Sequence, residues 1–334
     1  MLKTLVKLLA FATICFCVIE QSYRYYAVGP DAFNPVKFNS YNQLLLTDLI
    51  ETSSYPAVYY QLKPGLDDWF RGKKIRSNSH GLADKEYELK KPTKTFRVAV
   101  LGSSWTMATG VPQELSYHAL LEARLREQHP DTNIEFLNFA VEMYGLREIV
   151  GTLENRVMVW EPDMILVAIT SYTSYLRWLP ADAVQRLPDR TNPFFHSYAF
   201  RAVDTLLQTG LVTRSLEERP VVGKDQELYE AQVIRAFREV AAVAERADIP
   251  ASIMWLSFAW PGKALSEKME SISQELGINY IKGHEAIADK PRILRKNYKG
   301  NTGRHPNATT HEILADVLFE ELQIEKLLPV LNEY

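Results

Sequence analysis

The segment 96–111 constrains the fold of this chain more than any other. It reads FRVAVLGSSWTMATGV, in which a run of β-forming residues stops at Gly102, two serines and small residues follow, and a helical pattern opens near Glu114. This order predicts a strand, a tight turn and a helix. Because ligands of open α/β sheets bind beyond the carboxyl ends of the strands, Ser104 stands where a nucleophile or a ligand contact would be useful.

A second informative segment lies near the C-terminus. Residues 303–318 read GRHPNATTHEILADVL, and an amphipathic helix follows His305 and Pro306. A serine after the first strand and a histidine before the last helix can meet at one edge of a sheet. Asn307 is a candidate for the N-cap of this helix and for a substrate contact, and His311 is predicted to pack or hydrogen-bond at its start.

Apolar runs and helical patterns alternate through the rest of the chain. The predicted strands are residues 97–101, 134–138, 164–169, 251–256 and 278–281. The predicted helices are residues 113–128, 146–157, 226–247, 267–276 and 309–322, with Gly277 as a C-cap. Strands that alternate with helices indicate a parallel sheet covered on both faces. The predicted fold class is therefore a three-layer α/β/α domain.

Composition and motifs exclude several classes of function. The chain has 334 residues, enough for one large α/β domain with extensions. A net charge of −3 without a basic stripe gives no reason to expect nucleic-acid binding. Cys15 and Cys17 both lie in the N-terminal apolar run, so neither a disulfide framework nor thiol chemistry is implied. The sequence has no metal-ligand spacing and no phosphate-binding loop, and we predict no cofactor and no metal.

Residues 1–25 have the features of a targeting segment. Lys3 and Lys7 precede the apolar run 8–19. Two interpretations are open, a cleaved signal peptide and an uncleaved signal anchor. Bulky residues at 18, 20 and 23 leave no small-x-small cleavage site after the run, which favours the anchor. The positive-inside rule then places the main domain on the extracytoplasmic side, whereas cleavage would make the protein secreted.

The remaining chain divides into an extension and linker at 26–93 and the α/β domain at 94–334. Within that domain, the segment 172–224 breaks the alternation of strands and helices and contains several prolines. Segments of this length are usually functional or disordered. We interpret it as an excursion over the C-terminal edge of the sheet, with a helix at about 200–207. A lid and a partner-docking surface are both open as its role.

Two blocks of the sequence resemble the SGNH (GDSL-like) hydrolase superfamily, and in particular its membrane-anchored bacterial branch. GSSWT at 102–106, with Gly110 and Val111 behind it, is similar to the branch's GDSfTfG-GV after the first strand. HPN at 305–307 is similar to its D-x-HPN before the last helix. The segments 58–65 and 77–84 resemble two motifs that precede the first strand. The resemblance covers the chain from about residue 60 onward.

This resemblance implies a flavodoxin-like, five-stranded parallel sheet and a serine esterase or O-acyl transferase. Ser104 would be the nucleophile and His305 its base. The substrate class implied by the family is an ester-linked acyl group on a carbohydrate, such as a cell-surface polysaccharide. Trp105, next to the nucleophile, would either line an acyl or sugar pocket or pack as a buried aromatic residue.

The donors that the family directs at the oxyanion are altered in this chain. Met143 aligns with the family's oxyanion glycine but keeps a backbone N–H, and the N–H of Ser104 is a second donor. Gly145 lies two residues further on and is another candidate. The family's asparagine after the central strand is replaced by TSYTS at 170–174, in which Thr173 is the candidate side-chain donor.

Two further family residues are absent from their usual positions. The aspartate of GDS is replaced by Ser103, and the acid that orients the histidine is replaced by Gly303 or Thr302. These departures support a second hypothesis of a different class. In that hypothesis the chain is a catalytically inactive SGNH fold that serves as a binding or assembly module in cell-envelope polysaccharide handling.

Overall fold

The structure is a computed structural model that describes residues 2–36, 46–170, 173, 197–200, 203, 226–256, 263–288 and 305–322. It begins with the long helix α1 (Leu2–Val28). The side chains of α1 are mostly exposed, and Leu2–Tyr26 is long and apolar enough to cross a membrane. By length and composition, this helix fits both a signal sequence and a membrane anchor.

The N-terminal extension forms two small antiparallel pairs of strands. A single helical turn, α2 (Leu46–Leu49), leads into the first pair, β1 (Ile50–Thr52) with β2 (Tyr60–Leu62). The second pair is a hairpin of β3 (Asp67–Phe70) and β4 (Lys73–Arg76). Buried residues of this extension belong to the same core cluster as residues of the main sheet, so the extension packs as part of one core.

The main sheet has five parallel strands, as the sequence predicts. They are β5 (Thr95–Leu101), β6 (Asn133–Asn138), β7 (Met164–Ile169), β8 (Ala251–Trp255) and β9 (Asn279–Ile281). Their spatial order is β6-β5-β7-β8-β9, which is the flavodoxin-like order. Every residue of β5, β7 and β8 is buried, because both faces of the sheet are covered.

Helices lie on both faces of this sheet. In chain order they are α3 (Tyr117–Gln128), α4 (Leu146–Thr152), α5 (Gln226–Ala247), α6 (Lys263–Glu275), the short α7 (Glu285–Ala288) and α8 (Ala308–Glu321). One core cluster joins a face of the sheet to α4, α5 and α6, and the other joins the opposite face to α3 and α8. The predicted three-layer α/β/α fold class is confirmed.

Some element boundaries differ from the predicted ones. The predicted helix at 146–157 ends as α-helix at Thr152, and Leu153–Val157 continues as a π-helical turn. The fourth predicted helix begins four residues earlier, at Lys263. Gly277 has a φ of +66° after α6, as its predicted C-cap role requires. The predicted helix at 200–207 and most of the segment 172–224 lie outside the described residues.

The fold brings the first and third strands of the domain together at a switch point. β5 pairs with β6 on one side and with β7 on the other, so the chain leaves β5 and β7 on opposite sides of the sheet. Ligands of doubly wound sheets bind in the crevice at such a point, beyond the carboxyl ends of the strands. Ser104 follows β5 and Thr170 follows β7, and both residues therefore lie at this crevice.

Candidate active site

A tight turn after β5 holds the candidate nucleophile. Gly102 has no side chain, and a Cβ there would collide with Thr106 Oγ1 and lie 2.7 Å from Thr106 Cβ. Thr106 is itself fixed, since Tyr117 Oη donates to its Oγ1 at 3.1 Å. The backbone carbonyl of Ser104 accepts from Thr109 N–H at 3.0 Å. This packing sets the turn and leaves Ser104 half-buried at its outer side.

The candidate base lies immediately before the last helix. Asn307 caps α8: its side-chain oxygen accepts from Thr310 N–H at 3.0 Å and from Thr310 Oγ1 at 3.2 Å. The predicted N-cap role of Asn307 is confirmed. Its side-chain oxygen is used in the cap, and Asn307 does not line the cavity that Ser104 and His305 share, so the structure gives no support to the predicted substrate contact.

Ser104 and His305, about two hundred residues apart in sequence, line one cavity of about 230 Å³. The wall of this cavity is formed by Arg71, Ser103, Ser104, Trp105, Glu142, Met143, Tyr144, Thr170, Thr173 and His305. Ser104 Oγ makes no hydrogen bond to a described residue, His305 included. Catalytic hydrogen bonds are often long in unliganded enzymes and shorten only when substrate binds.

The environment of His305 keeps its imidazole neutral near pH 7. Burial, and to a lesser extent the positive charge of Arg71, lower the pKa of His305 to about 4. A neutral imidazole can accept a proton, which a general base must do. The positions that would hold the family's orienting acid, Thr302 and Gly303, lie outside the described residues.

Two backbone N–H groups fit the role of oxyanion donors. Met143 has a φ of +69°, the left-handed conformation that favours glycine, and this matches its alignment with the family's oxyanion glycine. Ser104 and Met143 both line the cavity, and within the described part of the chain neither backbone N–H donates a hydrogen bond. A donor to a bound oxyanion must be unengaged in this way, and the oxyanion role of both N–H groups stays a prediction.

Gly145 differs from its prediction. It is the N-cap residue of α4, and its backbone N–H donates to Glu148 Oε2 at 3.0 Å. A donor that is already used inside a helix cap cannot serve a substrate oxyanion at the same time. Gly145 also does not line the cavity, so we exclude it from the candidate oxyanion hole.

Thr173 lies in a short turn with Thr170 and also lines the cavity. Thr173 Oγ1 accepts from Thr170 N–H at 3.0 Å and lies 3.0 Å from Thr170 Oγ1, and Thr173 N–H donates to the carbonyl of Thr170 at 2.9 Å. If Thr170 donates its hydroxyl proton to Thr173, the hydroxyl proton of Thr173 is left for the cavity. Its role as a third oxyanion donor stays a prediction.

Trp105 packs in the core and also reaches the cavity wall, and its contact with an acyl or sugar group stays a prediction. It is 4% exposed and belongs to the core cluster that packs against α3 and α8. It also forms part of the cavity wall beside Ser104. The indole is therefore a rigid boundary of the cavity, because core packing holds it in place.

The histidine predicted to pack in the last helix does so. His311 is fully buried and stacks on the ring of Tyr117, with centroids 5.8 Å apart. Its Nδ1 accepts from Tyr117 N–H at 3.2 Å. Burial lowers the pKa of His311 to about 3, so it stays neutral and ties α8 to the start of α3.

Sequence reasoning missed two charged residues of the site, Arg71 and Glu142. Arg71 lies at the tip of the β3–β4 hairpin, and Glu142 lies in the loop after β6 next to Met143. They form an ion pair of 2.7 Å at the cavity wall. Only Gly72 of the two turn residues is of a type that favours such a hairpin, and no local pattern shows that the hairpin reaches the sheet edge.

Comparison with solved structures found matches at low sequence identity and with TM-scores below 0.5. No protein-family model and no curated protein matches this chain. Among solved structures, TesA is 12% identical, with 68% of this chain and 98% of that chain covered and a TM-score of 0.44. The psychrotrophic esterase EstA from Pseudoalteromonas sp. is 14% identical, with coverages of 70% and 98% and a TM-score of 0.42.

A third solved structure is Axe2, an acetylxylan esterase from Geobacillus stearothermophilus. It is 14% identical, with 68% of this chain and 94% of that chain covered and a TM-score of 0.40. Similarity at this level does not determine an activity, so the functional proposal rests on the cavity itself.

Proposed function

We propose that this chain is a serine ester hydrolase or O-acyl transferase. One observation carries the proposal: Ser104, the base His305 and Met143 line the same cavity, and the backbone N–H groups of Ser104 and Met143 have no hydrogen-bond partner among the described residues. A hydroxyl, a neutral imidazole and unpaired backbone donors around one cavity are the parts that acyl transfer requires.

The reaction follows from these parts. His305 takes the proton of Ser104 as the serine oxygen attacks the ester carbonyl, and the N–H groups of Ser104 and Met143 stabilise the resulting oxyanion. The C–O bond of the ester then breaks, and His305 returns the proton to the leaving alcohol. Water completes hydrolysis of the acyl-serine, whereas a second hydroxyl compound would complete a transfer.

The proposed substrate is a carbohydrate that carries an ester-linked acyl group. It rests on the resemblance to the SGNH superfamily and is compatible with the name of Axe2, the acetylxylan esterase with a similar fold. A half-buried serine at the mouth of a cavity suits an ester carried on a larger molecule, since the acyl group enters while the rest stays outside.

The protein is placed at a membrane surface in this proposal, with α1 retained as its anchor. Glu20 of α1 is 7% exposed and accepts from Ser197 Oγ at 2.8 Å, Tyr198 N–H at 3.0 Å and Ala199 N–H at 2.8 Å. Removing α1 would leave these donors without their carboxylate. Intact mass of the membrane-extracted protein tests this point, since cleavage near residue 25 would remove about 3 kDa.

The second candidate function is an inactive binding module of cell-envelope polysaccharide. It is favoured by the absence of a hydrogen bond between Ser104 Oγ and His305 and by the threonine turn that stands in place of the family's asparagine. Loss of one oxyanion donor alone costs about 10²–10³ in rate. An active enzyme of this kind would therefore be slow unless Thr173 replaces that donor.

Ester hydrolysis by the full-length protein in detergent tests the first function against the second. Release of p-nitrophenol from p-nitrophenyl acetate is measured for the wild type, Ser104→Ala and His305→Ala, with Ser22→Ala as a control at an exposed serine outside the cavity wall. The proposal expects turnover in the wild type and in the control, and a loss of at least about 10³-fold in the other two. Equal rates in all four proteins would favour the binding module, and glycan binding would then be measured.

A further inference from the structure

Arg71 is a cation at the cavity that the proposed chemistry does not use. It lies in the two-residue turn between β3 and β4, with φ values of +48° for Arg71 and +80° for Gly72. The guanidinium carbon lies 5.2 Å from the centroid of the Phe70 ring. The N-terminal extension thus brings a positioned guanidinium to the wall on which Ser104 and His305 lie.

Only one nitrogen of the Arg71 guanidinium donates a hydrogen bond to a described residue. Arg71 Nη2 contacts Glu142 Oε1 at 2.7 Å, and Glu142 Oε2 accepts from Thr109 Oγ1 at 3.1 Å. Within the described part of the chain, Nε and Nη1 of Arg71 have no hydrogen-bond partner. The Arg71 side chain is 42% exposed, whereas that of Glu142 is 3% exposed. Glu142 therefore holds Arg71 from its buried side, while a large part of the Arg71 side chain stays accessible.

From this geometry we propose that the substrate carries an anionic group near its ester, and that Arg71 binds this group. The inference rests on the proposed function of the cavity. A guanidinium presents parallel N–H donors that match the two oxygens of a carboxylate or a phosphate. A ligand of this class would pair the donors that Glu142 leaves open.

The position of Arg71 also links binding to the chemical step. Among the described residues, the charged side chains of the cavity wall are Arg71 and its partner Glu142. The wall also holds the neutral imidazole of His305 and the phenol of Tyr144, and the neutral His311 lies behind it in α8. The charge of Arg71 opposes the imidazolium that forms when His305 takes the serine proton. An anion bound to Arg71 offsets this repulsion, so an anionic substrate gains in the transition state as well as in binding.

The test compares esters that differ only in charge. The first pair is 4-acetoxybenzoate and 4-acetoxybenzamide, with the charge on the alcohol part. The second pair is mono-p-nitrophenyl adipate and its methyl ester, with the charge on the acyl part. In at least one pair, the wild type is expected to favour the anion by about 10- to 100-fold in kcat/KM, the range of a charge-assisted hydrogen bond. The pair that shows the preference identifies which part of the substrate carries the anion.

Variants then assign the preference to Arg71. Arg71→Gln is expected to reduce the anion-to-neutral ratio to about one, and Arg71→Lys to retain part of it. Because Arg71→Gln leaves Glu142 buried and unpaired, the double variant Arg71→Gln/Glu142→Gln is measured beside it, with far-UV circular dichroism as the check on folding. Arg76→Gln is the matched control, since Arg76 lies on the same hairpin with an exposed side chain outside the cavity wall.

The outcomes separate this inference from the proposed function. Ser104-dependent turnover with equal kcat/KM for the charged and neutral esters of both pairs overturns the inference and leaves the esterase in place. The same holds for an anion preference that Arg71→Gln and the double variant both retain. No Ser104-dependent turnover of any of the four esters overturns the proposed function and this inference together.

Discussion

The carboxylate of Glu20, in the N-terminal helix, accepts a 2.8 Å hydrogen bond from the backbone N–H of Ala199, 179 residues later. It accepts a second backbone hydrogen bond from Tyr198 N–H at 3.0 Å. A carboxylate at the first N–H groups of a helical turn satisfies donors that have no partner within the turn. The helix that could cross a membrane is therefore bonded to the segment that follows the central strand.

Substitution of Glu20 is expected to destabilise the protein. Glu20→Ala removes a buried acceptor of charged hydrogen bonds and should lower the free energy of unfolding by about 1.5–3 kcal/mol. Thermal unfolding of the full-length protein in detergent measures the effect. Ser22→Ala is the control, because Ser22 is exposed and donates to Val18 within its own helix. Equal unfolding temperatures for the two variants would show that the Glu20 contacts do not stabilise the fold.

The pH dependence of ester hydrolysis reports the ionisation of His305. A base must be neutral to act, and burial together with Arg71 lowers the pKa of His305 to about 4. The acidic limb of kcat/KM is therefore expected near pH 4, well below the ordinary value of about 6.5. Activity should be constant from pH 6 to pH 7 and fall as the pH drops through about 4.

Removing the positive charge of Arg71 is expected to move the acidic limb of kcat/KM. Arg71→Gln takes away a cation that disfavours the imidazolium, so the pKa of His305 rises and the limb shifts to higher pH. Burial remains, and the limb should stay below 6.5. A limb that does not move in Arg71→Gln would mean that Arg71 does not act on the base through its charge.

The left-handed backbone of Met143 gives a stability prediction. With a φ of +69°, this position disfavours any side chain, and the difference between alanine and glycine there measures the backbone strain. Met143→Gly should be more stable than Met143→Ala by about 1 kcal/mol. Chemical denaturation of the two variants gives the comparison, and both keep the N–H that the oxyanion hole needs. Equal stability, or a more stable alanine variant, would contradict the strain.

Gly102 is predicted to tolerate no side chain. A Cβ there would lie 2.7 Å from Thr106 Cβ, and Thr106 cannot move away because it is fully buried. Gly102→Ala should lower the free energy of unfolding by about 1–3 kcal/mol and reduce esterase activity, because Ser104 is two residues away. Gly151→Ala in α4 is the comparison, since its added Cβ would lie 3.1 Å from Ala57 Cβ, a contact that a shift of a few tenths of an ångström relieves. Similar unfolding temperatures for both variants would show that the turn adapts.

The local sequence pattern was sufficient to predict most of the fold. Each buried strand is a short run of apolar residues, and each helix has its own period, so β7 and α5 begin and end where the pattern predicts. The turn at Gly102 and the cap at Asn307 were predicted for the same reason, because the residues that form them are neighbours in sequence. The predicted use of Gly145 was wrong because it ignored a helix cap that consumes its N–H.

The sequence by itself determined the sheet, its covering helices, the apolar N-terminal helix, and Ser104 and His305 as candidates. Only the tertiary structure decided that Arg71 and Glu142 meet at the cavity, that Tyr60 Oη donates to the carbonyl of Glu142 at 3.1 Å, and that Glu20 bonds to a distant turn. The physical reason is the distance along the sequence over which each kind of contact acts. Strand and helix patterns arise from neighbours a few residues apart, whereas these contacts join segments that only the packed sheet brings together.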